Sequence, residues 1–278
     1  MNRLAPRIIK SNVTVSGVNT HYYEIGASNA EVLILLHGMS ASADTFHKLL
    51  QELGNDYRVI APDIPGFGLS GDTNPYTFPR LTTWLRDFMR DLGVADAHLG
   101  GHSFGGALAV SYALVEPLDV RSLVLLAPSI LRPGKYPQWL RGLAQSKLSE
   151  WILELGVSAS RVMLQRQMRS AFYDPSRFDE SLWERRERDY SLARSSAAVL
   201  RASALHDIRD DLQHIRQESC IIWGIEDPVL DPSDAEKLNA LMPASRTQLH
   251  MLPECGHIPH IEQNEQVVAI IEQFLATN

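Results

Sequence analysis

Gly100-Gly101-His102-Ser103-Phe104-Gly105-Gly106 decides how the rest of the chain is read. A short segment ending in Ala97-His98-Leu99 precedes it, and the small and apolar run from Ala107 to Val115 follows it. A serine therefore stands where a strand gives way to a helix. Glycine two residues to either side suits a sharp turn at this point. The backbone at the serine is strained there, and a Cβ at either flanking position would collide with it. Such a turn holds the Ser103 hydroxyl at the end of a sheet, beside the first unbonded N–H groups of the helix. The pattern is short, so its weight depends on what surrounds it.

Upstream, Val13–Val15 and His21–Ile25 are rich in β-formers and flank Ser16-Gly17-Val18-Asn19, which predicts an antiparallel hairpin. Val32-Leu33-Ile34-Leu35-Leu36 is apolar throughout, as a strand buried on both faces must be, and it runs into His37-Gly38-Met39-Ser40. Thr45–Leu53 has helical spacing, Tyr57–Ala61 reads as a strand, and Leu81–Leu92 reads as an amphipathic helix. Gly66, Gly68 and Gly71 match a dinucleotide fingerprint by letters, but Asp72-Thr73-Asn74-Pro75 follows, which is turn chemistry where the fingerprint needs a helix.

Downstream, Arg121–Ala127 is a further buried strand. The stretch after it has no strand-like run and is helical and Arg-rich, with basic residues outnumbering acidic ones, while the remainder of the chain is acidic. We read residues 129–209 as an inserted helical cap, and residues 1–128 and 210–278 as one core domain. The strand–helix alternation resumes with Ser219–Gly224, Pro232–Met242, Thr247–Leu252 and Asn264–Leu275. Such alternation implies a mostly parallel sheet covered by helices on both faces, with reacting groups at the carboxyl ends of its strands.

Composition limits the function. The chain has 278 residues, 45% of them hydrophobic, enough for a large core. A net charge of −7 argues against a nucleic-acid partner. Two cysteines provide no disulfide framework, the first residues carry no signal-peptide pattern, and no apolar run is long enough to span a bilayer. The expectation is a cytoplasmic protein, monomeric or homodimeric, without a membrane partner. No His-Glu-x-x-His or cysteine cluster is present, so neither a metal nor another cofactor is expected.

A serine hydroxyl needs a base in reach, and the base needs an orienting acid. Ile225-Glu226-Asp227-Pro228 follows one late strand and Pro253-Glu254-Cys255-Gly256-His257 follows the next. An acid and a histidine after successive strands, downstream of the serine, is the order of the nucleophile-elbow architecture. By residue type alone, Glu226 and Asp231 compete with Asp227, and His260 competes with His257.

Five motifs in order resemble those of the α/β-hydrolase superfamily. They are His37-Gly38, Asp63-x-Pro65-Gly66-x-Gly68-x-Ser70, Gly101-His102-Ser103-Phe104-Gly105, Trp223-Gly224-x-x-Asp227 and Gly256-His257-x-Pro259. The resemblance covers Val13–Ser129 and Leu212–Leu275. It implies an α/β fold of eight strands in a mostly parallel sheet, with a helical cap inserted after the sixth strand. It also implies Ser103 as nucleophile, His257 as base, Asp227 as the acid that orients it, and the backbone N–H groups of Met39 and Phe104 as an oxyanion hole.

Relatives with dehalogenase or epoxide-hydrolase activity carry Asp where Ser103 stands, so the resemblance implies acyl chemistry on a small-molecule ester, thioester or lactone. The alternatives are C–C bond hydrolysis of ring-fission diketones and a ligand-binding receptor with little turnover. The C–C enzymes commonly have a glycine-rich run after His-Gly and Asn before the nucleophile, where this chain has Met39-Ser40-Ala41 and His102. His37, His102 and the cap residue Trp139 are the expected substrate-lining side chains, with Leu143, Trp151, Met163, Met168, Phe172 and Trp183 as further residues of the cap. Asp63 reads as a structural acid of its loop, and Cys255 as a small buried residue rather than a reactive thiol.

Overall fold

Strand β3 (Val32–Leu36) shows how the core is divided. All five residues are buried. Ile34 and Leu36 join one apolar cluster while Leu33 and Leu35 join another on the opposite face. The same two-residue alternation splits Leu123 and Leu125 from Val124 and Leu126 in β6 (Val120–Leu126), and Ile221 and Trp223 from Cys220 and Ile222 in β7 (Glu218–Gly224). A sheet that is apolar on both faces has to be covered on both.

The computed structural model describes residues 6–29, 31–131, 168–178, 195–243 and 245–278, together with 184, 187–189, 192 and 193. The remaining strands are β1 (Ile9–Val15), β2 (Val18–Ile25), β4 (Arg58–Pro62), β5 (Ala97–His102) and β8 (Thr247–Leu252). They form one eight-stranded sheet in the order β1-β2-β4-β3-β5-β6-β7-β8. β1 pairs with β2, and β2 with β4, antiparallel; every other pair is parallel. This is the expected α/β fold.

Helices α2 (Phe78–Asp91), α3 (Phe104–Val115), α4 (Ser196–Leu205) and α5 (Ser233–Leu241) supply residues such as Trp84, Leu108, Val199 and Leu238 to one cluster. Helices α1 (His47–Leu53) and α7 (Asn264–Leu275) supply Leu49, Leu50, Ile271 and Phe274 to the other. A four-residue helix α6 (Pro259–Glu262) precedes α7.

Several boundaries differ from those read in the sequence: the hairpin strands start earlier, at Ile9 and Val18, because only Ser16 and Gly17 are needed for the turn. β5 continues through Gly100 and Gly101 to His102. Glycine is a poor strand former by propensity, but a Cβ at Gly100 would lie 2.7 Å from the Leu35 side chain, so strand packing selects it. α2 begins at Phe78, before Leu81, because Thr77 caps it and Pro79 is tolerated in a first turn. The helix read from Thr45 opens as a 3-10 turn at Ala43, where Ser42 accepts from the Asp44 N–H. The residues between β6 and β7 include those assigned to the cap, and most of these, Trp139 among them, lie outside the described residues.

The loop after β4 is built around Asp63. Its carboxylate accepts from Ala43 N (2.7 Å), Leu69 N (2.9 Å) and His21 Nδ1 (2.9 Å). Gly68 has φ +51°, and a Cβ there would fall 2.3 Å from the same carboxylate. Gly68 therefore serves a turn around an acid. Burial opposes ionisation of Asp63, but the His21 hydrogen bond and the two N–H groups outweigh it and hold the carboxyl below its usual 3.8. A depressed folded pKa stabilises above the unfolded value, and the contribution is lost as pH falls through the folded one. Asp63→Asn should cost about 3 kcal/mol in denaturant unfolding at neutral pH. The deficit should shrink as the pH is lowered through the range below 3.8. A deficit that stays constant throughout the acid titration would place the stabilisation elsewhere.

Candidate active site

The carboxyl ends of β3, β5, β7 and β8 face one edge of the sheet, and each is followed by a loop bearing one of the expected residues. Ser103 joins β5 directly to α3 with φ +51° and ψ −114°, a conformation that L-residues rarely adopt. Neighbouring backbone enforces it. A Cβ at Gly105 would sit 2.0 Å from the Leu36 carbonyl oxygen, and one at Gly101 would sit 2.3 Å from the Gly105 carbonyl carbon. The Ser103 N–H is spent on the Leu126 carbonyl (3.0 Å), and the Ser103 carbonyl accepts from Ser129 N (2.9 Å). The turn is thus fixed by its main chain, and among the described residues its hydroxyl makes no hydrogen bond.

Asp227 follows β7 and is buried. One carboxylate oxygen accepts from Val229 N (2.8 Å) and Leu230 N (2.9 Å); the other accepts from Trp223 Nε1 (3.0 Å) and pairs with His257 Nδ1 (2.8 Å). The Trp-Gly-x-x-Asp spacing has a physical content here: the indole N–H holds the carboxylate on the side where the histidine lies. With Nδ1 so engaged, Nε2 is the nitrogen left to exchange a proton with a hydroxyl.

The rival acids are used otherwise. Glu226 accepts from Cys255 N (3.2 Å), and Asp231 accepts from Ser233 N (3.0 Å) at the start of α5. His260 lies buried in α6, bonded through Nε2 to Thr45 Oγ1 (3.0 Å) and packed against Phe46.

His37 and His102, expected as wall and loop-bracing groups beside the substrate, are both bonded to backbone. His37 is fully buried. Its Nδ1 donates to the Gly38 carbonyl (2.7 Å) and its Nε2 accepts from Ile64 N (2.9 Å), so it braces the loops after β3 and β4. His102 is also buried, and its Nε2 donates to the His257 carbonyl (2.9 Å), with ring centroids 4.9 Å apart. It ties the serine turn to the histidine loop. Trp139 falls outside the described residues.

Met39 lies on the loop after β3, and Phe104 is the first residue of α3. The N–H at a first helical position has no intrahelical acceptor and is available to an oxygen held beside Ser103. The Met39 loop is joined to the segment that returns from the insertion: Ser40 Oγ lies 2.9 Å from Ser196 Oγ, and Ser42 Oγ donates to the buried Asp189 (2.8 Å). Nothing in the residue types at 40, 42, 189 and 196 announces those contacts.

Among the described residues no group of His, Cys, Asp and Glu could hold a metal ion, and no helix is long and apolar enough to cross a membrane.

Comparison with known proteins agrees with this fold. Residues 33–270 match the model of the alpha/beta hydrolase family. The chain is 30% identical over 288 residues to 2-hydroxy-6-oxo-2,4-heptadienoate hydrolase of Pseudomonas putida, covering 95% of each chain. It is 27% identical over 272 residues to lipase 1 of Psychrobacter immobilis, covering 96% of this chain and 83% of the lipase. A solved structure of a meta-cleavage product hydrolase from Pseudomonas fluorescens superposes with a TM-score of 0.79 at 25% identity, over 96% of this chain and 97% of that one.

Cys255 stands two residues before His257, which makes it the thiol closest in sequence to the site. Burial pushes its pKa up to about 12, helped by the nearby Glu262, Asp227 and Glu226 carboxylates, and burial alone does the same to Cys220. Both should remain protonated and inert. Ellman's reagent at mildly alkaline pH should release no thiolate from native protein and two equivalents after denaturation. Rapid native labelling of Cys255 would contradict its inert placement.

Proposed function

Because the chain belongs to the alpha/beta hydrolase family, we propose that it is a serine hydrolase that cleaves a small carboxylic ester, thioester or lactone through an acyl-enzyme on Ser103. One observation carries the reading: a buried Asp227–His257 pair at 2.8 Å on the loops of two adjacent strands, on the sheet edge where the strained turn presents Ser103. A binding protein has no physical need of a base so oriented.

The steps follow from the positions. Ser103 Oγ attacks the substrate carbonyl carbon as its proton passes to His257 Nε2. Asp227 holds the ring through Nδ1 and stabilises the imidazolium. The carbonyl oxygen becomes an oxyanion that accepts from the N–H groups of Phe104 and Met39, each contributing roughly 3–4 kcal/mol. Collapse of the tetrahedral intermediate expels the alcohol or thiol, which takes the proton from His257. Water then attacks the acyl group by the same route in reverse, and Ser103 is regenerated.

We take the stretch at residues 129–209 to be a cap insertion. The ester reading is supported by Met39-Ser40-Ala41 after His-Gly and by a His102 whose Nε2 is committed to the His257 carbonyl. A second reading, C–C bond hydrolysis of a ring-fission diketone, is favoured by the 30% identity to the Pseudomonas putida hydrolase.

A fluorophosphonate probe should add once, to the peptide carrying Ser103, and short p-nitrophenyl esters should turn over. Ser103→Ala should lower turnover about a million-fold and Asp227→Asn about ten-thousand-fold. Labelling with negligible ester turnover, but cleavage of a 2-hydroxy-6-oxo-dienoate, would select the C–C reading. An active Ser103→Ala protein would sink the mechanism.

A further inference from the structure

The loop that carries His257 has no helix or sheet pairing of its own, so its N–H groups need other acceptors. Each finds one. Cys255 N donates to Glu226 Oε2 (3.2 Å), Gly256 N to Glu262 Oε1 (3.0 Å), His257 N to the Ala171 carbonyl (2.9 Å) and Ile258 N to Glu262 Oε1 (3.4 Å). The other Glu262 oxygen, Oε2, accepts from Tyr173 N (2.8 Å). One carboxylate therefore holds the residues on both sides of His257 and, through its second oxygen, a segment that precedes it by more than eighty residues.

Residues 168–178 belong to the stretch inserted between β6 and β7, and they dock against α6. Phe172 and Phe178 are buried together, against Met168, Ile258 and Ile261. The approach is close, since a Cβ at Gly256 would lie 2.5 Å from the Ala171 carbonyl oxygen and 2.7 Å from Tyr173 N. The Arg177 guanidinium adds a bond to the Glu262 carbonyl (3.3 Å).

We propose that Glu262 is a positioning residue that sets the place of the His257 loop and makes docking of residues 171–173 and alignment of the base a single event. The proposal rests on the hydrolase reading above. Glutamate suits the task because an ionised carboxylate offers acceptors on both oxygens, and bonds to a charged acceptor are about twice as strong as neutral ones. The amide of glutamine offers one oxygen, with an NH2 group that opposes the remaining N–H. Glu262→Gln therefore keeps one side of the link and loses the other. Substrate binding is not what Glu262 touches, so the effect belongs in kcat.

The test compares wild type with Glu262→Gln and Tyr173→Pro, the latter removing the N–H donor on the far side of the link together with an exposed phenol. Two readouts are taken: steady-state kinetics on a p-nitrophenyl ester, and amide hydrogen exchange at residues 171–173 and 255–258. We expect kcat to fall about 10- to 100-fold, the size of effect known for a misplacement of about 1 Å. KM should hold, melting should remain cooperative, and exchange should quicken in both segments together. Should Glu262→Gln fail to fold, Tyr173→Pro carries the same comparison.

Wild-type kcat with unchanged exchange would overturn the proposal. So would a loss of kcat matched by an equal loss of fluorophosphonate-reactive protein, since that reports unfolding. If wild type neither labels nor turns over esters, the hydrolase reading fails instead. The exchange arm then still decides whether the two segments move as one.

Discussion

The contact between the first turn of α3 and the end of β3 leaves no room for a side chain. Leu36 ends its strand with a carbonyl 2.0 Å from where a Cβ of Gly105 would lie, and Gly105 in turn fills the space above Gly101. This closeness permits β5 to pass into a helix within one residue. It also forces Ser103 into a positive-φ conformation. The strain is maintained by hydrogen bonds to β6 and to the residues just beyond it, through Leu126 and Ser129. A reactive hydroxyl and a free helix N-terminus thus appear at one point as a consequence of packing.

The other parts of the site lie on irregular loops, and irregular backbone at a half-buried edge needs acceptors for its N–H groups. Here carboxylates supply them. Asp63 gathers the N–H groups of Ala43 and Leu69, Asp227 those of Val229 and Leu230, Glu226 that of Cys255, and Glu262 those of Gly256 and Ile258. Asp227 is the one that also pairs with a histidine ring, that of His257. The same chemistry that shapes the loops therefore also fixes the His257 ring, because a carboxylate held by two main-chain donors and an indole has little freedom to turn from it.

The three histidines at this edge have separate tasks although they touch. His257 keeps a nitrogen for proton transfer, His102 ties the serine turn to the His257 carbonyl, and His260 locks α6 to Thr45. Ring centroids of His102 lie 4.9 Å from His257 and 4.8 Å from His260. Side-chain hydrogen bonds across the edge thereby join loops from β3, β5 and β8.

The chain by itself determined the fold class and the order of its parts. Apolar runs such as Val32–Leu36 and Ile221–Trp223 cannot be satisfied except in a sheet covered on both faces, and glycines at 101 and 105 answer a steric demand local to Ser103. The resemblance to the α/β-hydrolase superfamily implied Asp227 over Glu226 and His257 over His260. What only tertiary structure decided is how each polar group is spent. His37 and His102 read in sequence as groups near a substrate, yet both ring nitrogens of His37 and the Nε2 of His102 are taken by backbone partners that fold next to them. Glu262, silent in the sequence, became an acceptor for N–H groups on two segments. Hydrophobic pattern is periodic and therefore legible along the chain, whereas a hydrogen bond belongs to two residues whose separation, 155 positions for His102 and His257, no local pattern encodes.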